Sequence, residues 1–362
     1  MLFMLLACAG VLLDEQDRCL WDVSSTLDQD GDGVLCPSDC NDLDDLMPKE
    51  DEDCDGVLTV DDCDDGDPGL FAQSVDEDCD GNLNPGIISS GDGQSCVVRE
   101  DGSVSCWSYG PITVQSGDFV QVSTSGSGRY ASRCAIDSTN ALSCWGNDEF
   151  GQSSPPSGLF KQVVTGWGHS CGILTSGSVR CWGLSDGTIG DYGQVSNTPS
   201  GSFVQLDAGD SHNCGVLTSG NVRCWGWEIS MYGQSRPPND KFLQVSTGSL
   251  HSCGILETGF VECWGINLTP SEDHGNRDYG QVKDTPNTQL IQISSGDQHN
   301  CGLNNDRKLI CWGDDEFGQS SPPSGVFLQV SSGSSHSCAI ENTGLIQCWG
   351  DVSSPPNDVT VF

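Results

Sequence analysis

Fourteen of the 21 cysteines form seven pairs with one spacing: Cys96/Cys106, Cys134/Cys144, Cys171/Cys181, Cys214/Cys224, Cys253/Cys263, Cys301/Cys311 and Cys338/Cys348, each ten residues apart. A tryptophan follows every second cysteine: Trp107, Trp145, Trp182, Trp225, Trp264, Trp312 and Trp349. Successive first cysteines are 38, 37, 43, 39, 48 and 37 residues apart. A period near forty with short alternating strands predicts a β-propeller, one blade per repeat. One repeat shows the strands: Phe160–Val164, His169–Leu174 and Ser178–Trp182, the last two joined by Thr175-Ser176-Gly177. If Cys171 faces Cys181 across that hairpin, the loop has three residues, and its last position wants a left-handed backbone. Gly102, Gly177, Gly220, Gly259 and Gly344 stand there, with Asn140 in a sixth repeat and Arg307 as the exception. Turn chemistry and spacing together predict seven cross-strand disulfides, because directly opposed residues lie within bridging distance.

The chain end predicts ring closure. Pro355-Pro356-Asn357-Asp358 before Val359–Phe362 repeats the lead-in Pro237-Pro238-Asn239-Asp240 before Phe242–Val245. The last four residues therefore read as the opening strand of a further repeat, completing blade one, where Pro85 and Gly86 replace the usual Phe. Closure removes the exposed edges that an open array would leave. The expected class is all-β: a seven-bladed β-propeller with one hairpin disulfide per blade, plus a small irregular calcium-binding N-terminal segment.

The run Gly-x-x-His-Ser-Cys-Gly-Ile-Leu-Thr-x-Gly-x-Val-x-Cys-Trp-Gly…Tyr-Gly-Gln at 166–194 resembles the repeat of the regulator of chromosome condensation family. The resemblance covers 84–362 and implies a seven-bladed propeller. That family also includes a secreted β-lactamase inhibitor, and its name suggests guanine-nucleotide exchange. Propellers serve many roles, so the resemblance specifies fold more than function.

Residues 1–90 hold 25 of the 52 acidic side chains against two basic ones, Arg18 and Lys49. Three Asp-x-Asp-x-Asp-Gly runs lie here: Asp28, Asp30, Asp32; Asp51, Asp53, Asp55; and Asp76, Asp78, Asp80, closed by Gly33, Gly56 and Gly81. Alternate carboxylates can converge on a hard cation while glycine permits the sharp turn of a calcium loop. The twelfth position supplies Asp39 and Asp62 in the first two runs, but Ile87 in the third. The unit resembles Asp- and Cys-rich metal-binding repeats of bacterial surface proteins and, more loosely, thrombospondin type 3 repeats. So few apolar residues cannot fold it unaided, and bound Ca2+ with disulfides among Cys19, Cys36, Cys40, Cys54, Cys63 and Cys79 would hold it. A solvated acidic linker is the alternative.

The odd cysteine is Cys8. Leu5-Leu6-Ala7-Cys8, after a short apolar run, resembles the lipobox of bacterial lipoproteins, which implies lipidation of Cys8. Cleavage of an ordinary export signal is the alternative, and either removes Cys8 from the disulfide count. Twenty oxidised cysteines predict an extracytoplasmic location: an envelope or outer-membrane lipoprotein, or a secreted protein. The domains expected are 1–9 as export signal, 10–27 as linker, 28–83 as calcium-binding repeats and 84–362 as propeller. A net charge of −38 excludes nucleic acid as a partner, since polyanions repel.

Catalytic signals are missing from the sequence. Five histidines, His169, His212, His251, His299 and His336, each precede a first cysteine by two residues. Repetition predicts a structural role for each within its own blade. Phe150, Tyr192, Tyr232, Tyr279 and Phe317, each before Gly-Gln, are expected in the core. His274 has no evident partner. Neither a nucleophile elbow, a phosphate loop nor a zinc-protease motif occurs. Loops after the Trp-Gly pairs lengthen at 184–191, 227–231 and 266–278, and loops carry binding. Trp167, Trp227, Ile229 and Met231 break the periodic pattern and are the candidate partner-binding residues. The reading is a monomeric, non-enzymatic surface or secreted protein that binds another macromolecule, most simply a protein. The alternatives are an inhibitor of an extracellular enzyme and, less favoured, an exchange factor.

Overall fold

The computed structural model describes residues 86–362 except 109–110, 127–130, 229–231, 269–276, 353–360 and 362, together with two short N-terminal strands. Contacts divide the chain into Met1–Asn84 and Pro85–Phe362. In the first unit Leu12–Leu13 pairs antiparallel with Cys19–Leu20. The three Asp runs, Asp39, Asp62 and Cys8 lie outside the described residues.

The second unit consists of seven antiparallel sheets in chain order. Blade three has strands Phe160–Thr165, His169–Leu174 and Val179–Gly183, as the alternation of that repeat predicts. In all seven blades the two cysteines face each other across the second and third strands. The seven predicted disulfides are all formed: Cys96–Cys106, Cys134–Cys144, Cys171–Cys181, Cys214–Cys224, Cys253–Cys263, Cys301–Cys311 and Cys338–Cys348, with Cα separations of 4.0–4.1 Å.

The two halves of each bridge differ in burial, which their spacing does not foretell. Every first cysteine is buried, on a central strand. Cys144, Cys181, Cys224, Cys263, Cys311 and Cys348 are only half-buried, because the third strand is the outer edge of its sheet. Cys106 is the buried exception. Blade one carries an unexpected fourth strand, Thr113–Gln115, fully exposed and paired with Val104–Cys106, so Cys106 is not on an edge. The hairpin position is left-handed even where glycine is missing, at Asn140 (φ 66°) and Arg307 (φ 56°). Arg307 therefore follows the geometry despite breaking the sequence rule.

The core sits between blades rather than inside them. Ile136 and Cys134 of blade two pack with Phe160, Val163 and Trp182 of blade three. Cys171 and Ile173 of blade three meet Phe203, Leu206 and Trp225 of blade four, and the next seam repeats the pattern. Each repeat therefore buries its apolar face only against a neighbour. Phe160, Phe203 and Phe242 sit edge-on to Trp182, Trp225 and Trp264, adding a directional aromatic contact to the burial.

Polar side chains tie the first strands into a ring. Gln205 Oε1 accepts from Val245 N and its Nε2 donates to Val245 O, both at 2.9 Å. Gln162 clasps Leu206, Gln244 clasps Ile293 and Gln292 clasps Val330 in the same way. Gln329 accepts from Ile88 N at 2.9 Å, so blade seven joins blade one. First strands touch both neighbouring first strands all the way round. A β-bulge at the residue before each glutamine accompanies the device in blades two to seven.

Val361 differs in register from the sequence reading. Val361 N donates to Gly344 O at 3.2 Å, the bond that Phe242 N makes to Gly220 O at 2.8 Å. Val361, 3% exposed, thus occupies the Phe position. Counted from the shared Pro-Pro-Asn-Asp lead-in that position falls on Thr360, and the one-residue offset follows from where the buried apolar side chain must sit. Val359, Thr360 and Phe362 lie outside the described residues.

Candidate functional site

Blades two to seven each present two segments on one face of the ring: the turn between the first two strands and the loop after the Trp-Gly pair. Backbone bonds hold them together, as in Leu184 N to Gly168 O at 2.9 Å and Trp227 N to Ser211 O at 2.8 Å. Each loop that the sequence marks as lengthened therefore begins beside its own blade's turn: 184–191 beside the turn that carries Trp167, and 227–231 and 266–278 beside Ser211 and Leu250.

The histidines stand under this face, fully buried, and they bond across seams rather than within their own blades. His169 Nε2 donates to Asn213 Oδ1 at 2.8 Å, and His251 Nε2 to Asn300 Oδ1 at 2.8 Å. His212, His299 and His336 reach the hydroxyls of Ser252, Ser337 and Ser95 at 2.8–2.9 Å. An amide oxygen only accepts, so the Nε2 tautomer is fixed in His169 and His251. All five Nδ1 atoms are buried without a hydrogen-bond partner. Burial lowers the pKa of His169, His251 and His336 to about 4, and of His212 and His299 to about 3. The correction to the sequence reading has a simple cause: the turn glycine leaves no room for a side chain beneath it. A Cβ on Gly248 would overlap both the His251 ring and the carbonyl of Gly296 in the next blade.

The aromatic-Gly-Gln element also differs from expectation. Phe317 and Tyr192 are 51% and 40% exposed, and Phe150, Tyr232 and Tyr279 are partly exposed; the buried residue is the glutamine. Gln152, Gln194, Gln234, Gln281 and Gln319 are at most 2% exposed. Each backbone oxygen accepts from the next blade's indole: Trp182, Trp225, Trp264, Trp312 and Trp349, at 2.9–3.1 Å. The side-chain oxygens of Gln194 and Gln281 accept from Tyr192 N and Tyr279 N at 2.7 Å. Glutamine thus plugs the seam and turns the aromatic ring outward.

The outward rings form two pairs, with the 184–191 loop between them. Phe150 lies 5.9 Å from Trp167, which is 49% exposed. A Cβ on Gly190 would lie 3.9 Å from Trp167, linking that ring to the loop that ends in Tyr192. Tyr192 stacks on half-buried Trp227 at 5.0 Å, and Ile189 is 99% exposed. Two of the four candidate partner-binding residues, Trp167 and Trp227, therefore each belong to one of these pairs; Ile229 and Met231 lie outside the described residues, as does His274. Sequence reasoning missed Phe150, Tyr192 and Ile189 as surface groups, and the signal was the recurring glutamine beside each aromatic. The same loops carry Asp148, Glu149, Asp186 and Asp191, while Arg236 pairs with Glu228.

Carboxylates also gather at the equivalent turn positions Asp92, Asp210 and Asp297. Burial among neighbours raises the Asp297 pKa well above the ordinary range, and Asp210 and Asp92 raise it further. Asp210 is raised for the same first reason, partly offset by a hydrogen bond from Ser249. Among the described residues no group of His, Cys, Asp or Glu is arranged to hold a metal ion.

The Regulator of chromosome condensation (RCC1) repeat family matches residues 160–194, 203–234, 290–319 and 327–353. Among solved structures, the ectodomain of the Physcomitrella patens receptor kinase CR4 is 26% identical with a TM-score of 0.54, over 65% of each chain. The present chain thus spans about two thirds of that ectodomain's length. Human WBSCR16 is 16% identical (TM-score 0.54, 70% of this chain and 86% of that one). Prp20p from Saccharomyces cerevisiae is 13% identical (TM-score 0.50, 75% and 83%). No curated protein matches the chain in sequence. Four of the seven blades thus carry RCC1 repeats, on a propeller of the RCC1 type stapled by a disulfide in every blade.

Proposed function

We propose that this is a non-enzymatic binding protein of an oxidising, extracytoplasmic compartment, which presents its aromatic loop face to a protein partner. The observation that carries the reading is the two aromatic pairs Phe150–Trp167 and Tyr192–Trp227 on one loop face, with Trp167 and Tyr192 substantially exposed. Aromatic side chains give large contact area at low entropic cost, which suits protein recognition. The acidic rim from Asp148, Glu149, Asp186 and Asp191 favours a partner that brings apolar side chains flanked by lysine or arginine. Seven disulfides suit the compartment. Buried neutral histidines and bridged cysteines provide neither a base nor a thiolate for catalysis. An extracellular enzyme inhibited by occlusion is one class of partner that such a face could take.

The N-terminal proposals rest on sequence. Asp28, Asp30, Asp32, Asp39, Asp51, Asp53, Asp55, Asp62, Asp76, Asp78 and Asp80 would hold calcium in a stalk, and Cys8 would carry a lipid.

Cross-linking capture at the surface of the producing cells, with wild type and a Trp167→Ala/Tyr192→Ala double variant, tests the binding face. Loss of a captured species from the variant supports it, and an unchanged set overturns it. Calorimetric titration of the oxidised full chain with calcium tests the stalk: absence of heat at millimolar calcium excludes it. Incorporation of radiolabelled palmitate, abolished by Cys8→Ser, tests the anchor.

A further inference from the structure

We propose that the seam between blades one and two holds a binding site for a small carboxylate, with the Arg133 guanidinium as its anchor. Five seams are closed by the buried glutamine that follows the loop aromatic and glycine. The loop after Trp107 has no such glutamine: Gly110 is followed by Pro111, and the chain then forms the exposed strand Thr113–Gln115. A cavity of about 140 Å³ opens at this seam, lined by Val104, Thr113, Val114, Gln115, Arg133 and Trp145. That is well short of the roughly 300 Å³ or more of a drug-sized pocket, yet far larger than the space needed by one water.

Arg133 is out of place in two ways. It precedes its cysteine by one residue, where Ser170, Asn213, Ser252, Asn300 and Ser337 carry short neutral side chains. It is also a largely buried cation that has no carboxylate partner among the described residues, in a chain with 52 acidic residues against 14 basic ones. One guanidinium nitrogen, Nη2, donates to Gln94 Oε1, and Nε is buried with no acceptor. Burial lowers its pKa, but a guanidinium does not release its proton in proteins. A buried, unpaired charge with an unused donor is costly unless an anion completes it. The planar fork of arginine suits a carboxylate, which accepts from two of its nitrogens at once. Val104, Val114 and Trp145 give the cavity an apolar wall, so the ligand class is a carboxylate on a short aliphatic body, with Thr113 and Gln115 as further polar contacts. The source can be a free short-chain acid or the end of a peptide; the recognising chemistry is the same.

The experiment is calorimetric titration of the oxidised full chain with sodium butyrate at constant ionic strength, alongside phosphate and a short peptide ending in valine. Saturable millimolar binding of butyrate that raises the melting temperature is the expected result. Arg133→Gln keeps an amide donor toward Gln94 and removes the charge, so it should weaken butyrate about tenfold or more with an unchanged circular dichroism spectrum. Gln115→Glu, on the exposed edge strand, should supply an internal anion and weaken butyrate as well, which keeps the test valid if Arg133→Gln fails to fold. Tighter binding of the peptide than of butyrate would assign the site to a chain terminus, and the reverse to a free acid. No heat at tens of millimolar butyrate, equal binding by both variants, or a preference for phosphate would overturn the proposal.

Discussion

His336 Nε2 lies 2.9 Å from Ser95 Oγ, although 241 residues separate them in the chain. The contact is the same histidine link made at four other seams, and here it joins the last blade to the first. Beside it, Ser90 N donates to Ser331 Oγ at 2.8 Å and Ile88 N to Gln329 at 2.9 Å. Ring closure therefore uses side chains that recur at other seams as well as the terminal Val361.

The buried histidines predict acid lability. Their folded pKa values, about 3 to 4, lie below the ordinary 6.5, so the unfolded chain binds more protons between those values. Stability from each is complete above pH 6.5 and falls by about 1.4 kcal/mol per pH unit down to the folded value. Asp207, Asp210, Asp297 and Glu262 act in the opposite sense: burial raises their pKa values, so their contribution grows more favourable as pH drops toward the ordinary carboxylate range. The five imidazoles outnumber these four carboxylates and each is displaced by several pH units. Melting temperature should fall steeply between pH 6.5 and 4, and His212→Gln should flatten that slope by about one proton. A melting temperature independent of pH over this window would contradict the assignment.

Backbone geometry at the hairpins predicts a pair of opposite effects. Gly177→Ala places a Cβ at φ 86° and should cost about 1–2 kcal/mol in chemical denaturation. Arg307→Gly relieves the corresponding strain at φ 56° and, after the entropic cost of glycine, should stabilise by roughly 0.5 kcal/mol.

Removing one staple should be costly but survivable. Replacing Cys171 and Cys181 together by alanine frees a ten-residue separation, a loss of roughly 3 kcal/mol by loop-closure entropy. The denaturation midpoint should drop with the spectrum of the native state retained, since the hairpin register is also fixed by its backbone pairing.

The plug glutamine can be tested alone. Gln281→Ala removes the acceptor for Tyr279 N and the donor to Arg277 O, both short bonds, at 2.7 and 2.8 Å. The expected cost is about 1–3 kcal/mol, with faster hydrogen exchange at the Tyr279 amide. Unchanged exchange would mean that the loop is held by other contacts.

The blade count, strand order, hairpin register and disulfide partners were legible because they follow from local rules: a spacing of ten, a left-handed turn residue and period-two alternation. What joins blades was not. His169, Gln162 and Gln194 recur at fixed positions, but nothing local says that their partners lie a whole repeat away. For the same reason Tyr192 read as core: an aromatic at a periodic position usually is, and only the buried glutamine beside it reveals which of the two turns inward. Trp167 and Trp227 were identifiable because they interrupt the pattern. The seam cavity could not be found before its neighbours' plugs were seen, although the absent Gln after Gly110 marks it in retrospect.

Placing the interior between repeats has an evolutionary corollary. Duplicating or deleting one repeat would change the curvature demanded of every seam while leaving each half-interior without a matched partner, so blade number should be resistant to gradual change. Loops such as 184–191 carry no such obligation, and variation between lineages should collect there, which makes this face the part of the ring able to acquire new partners without altering how it folds.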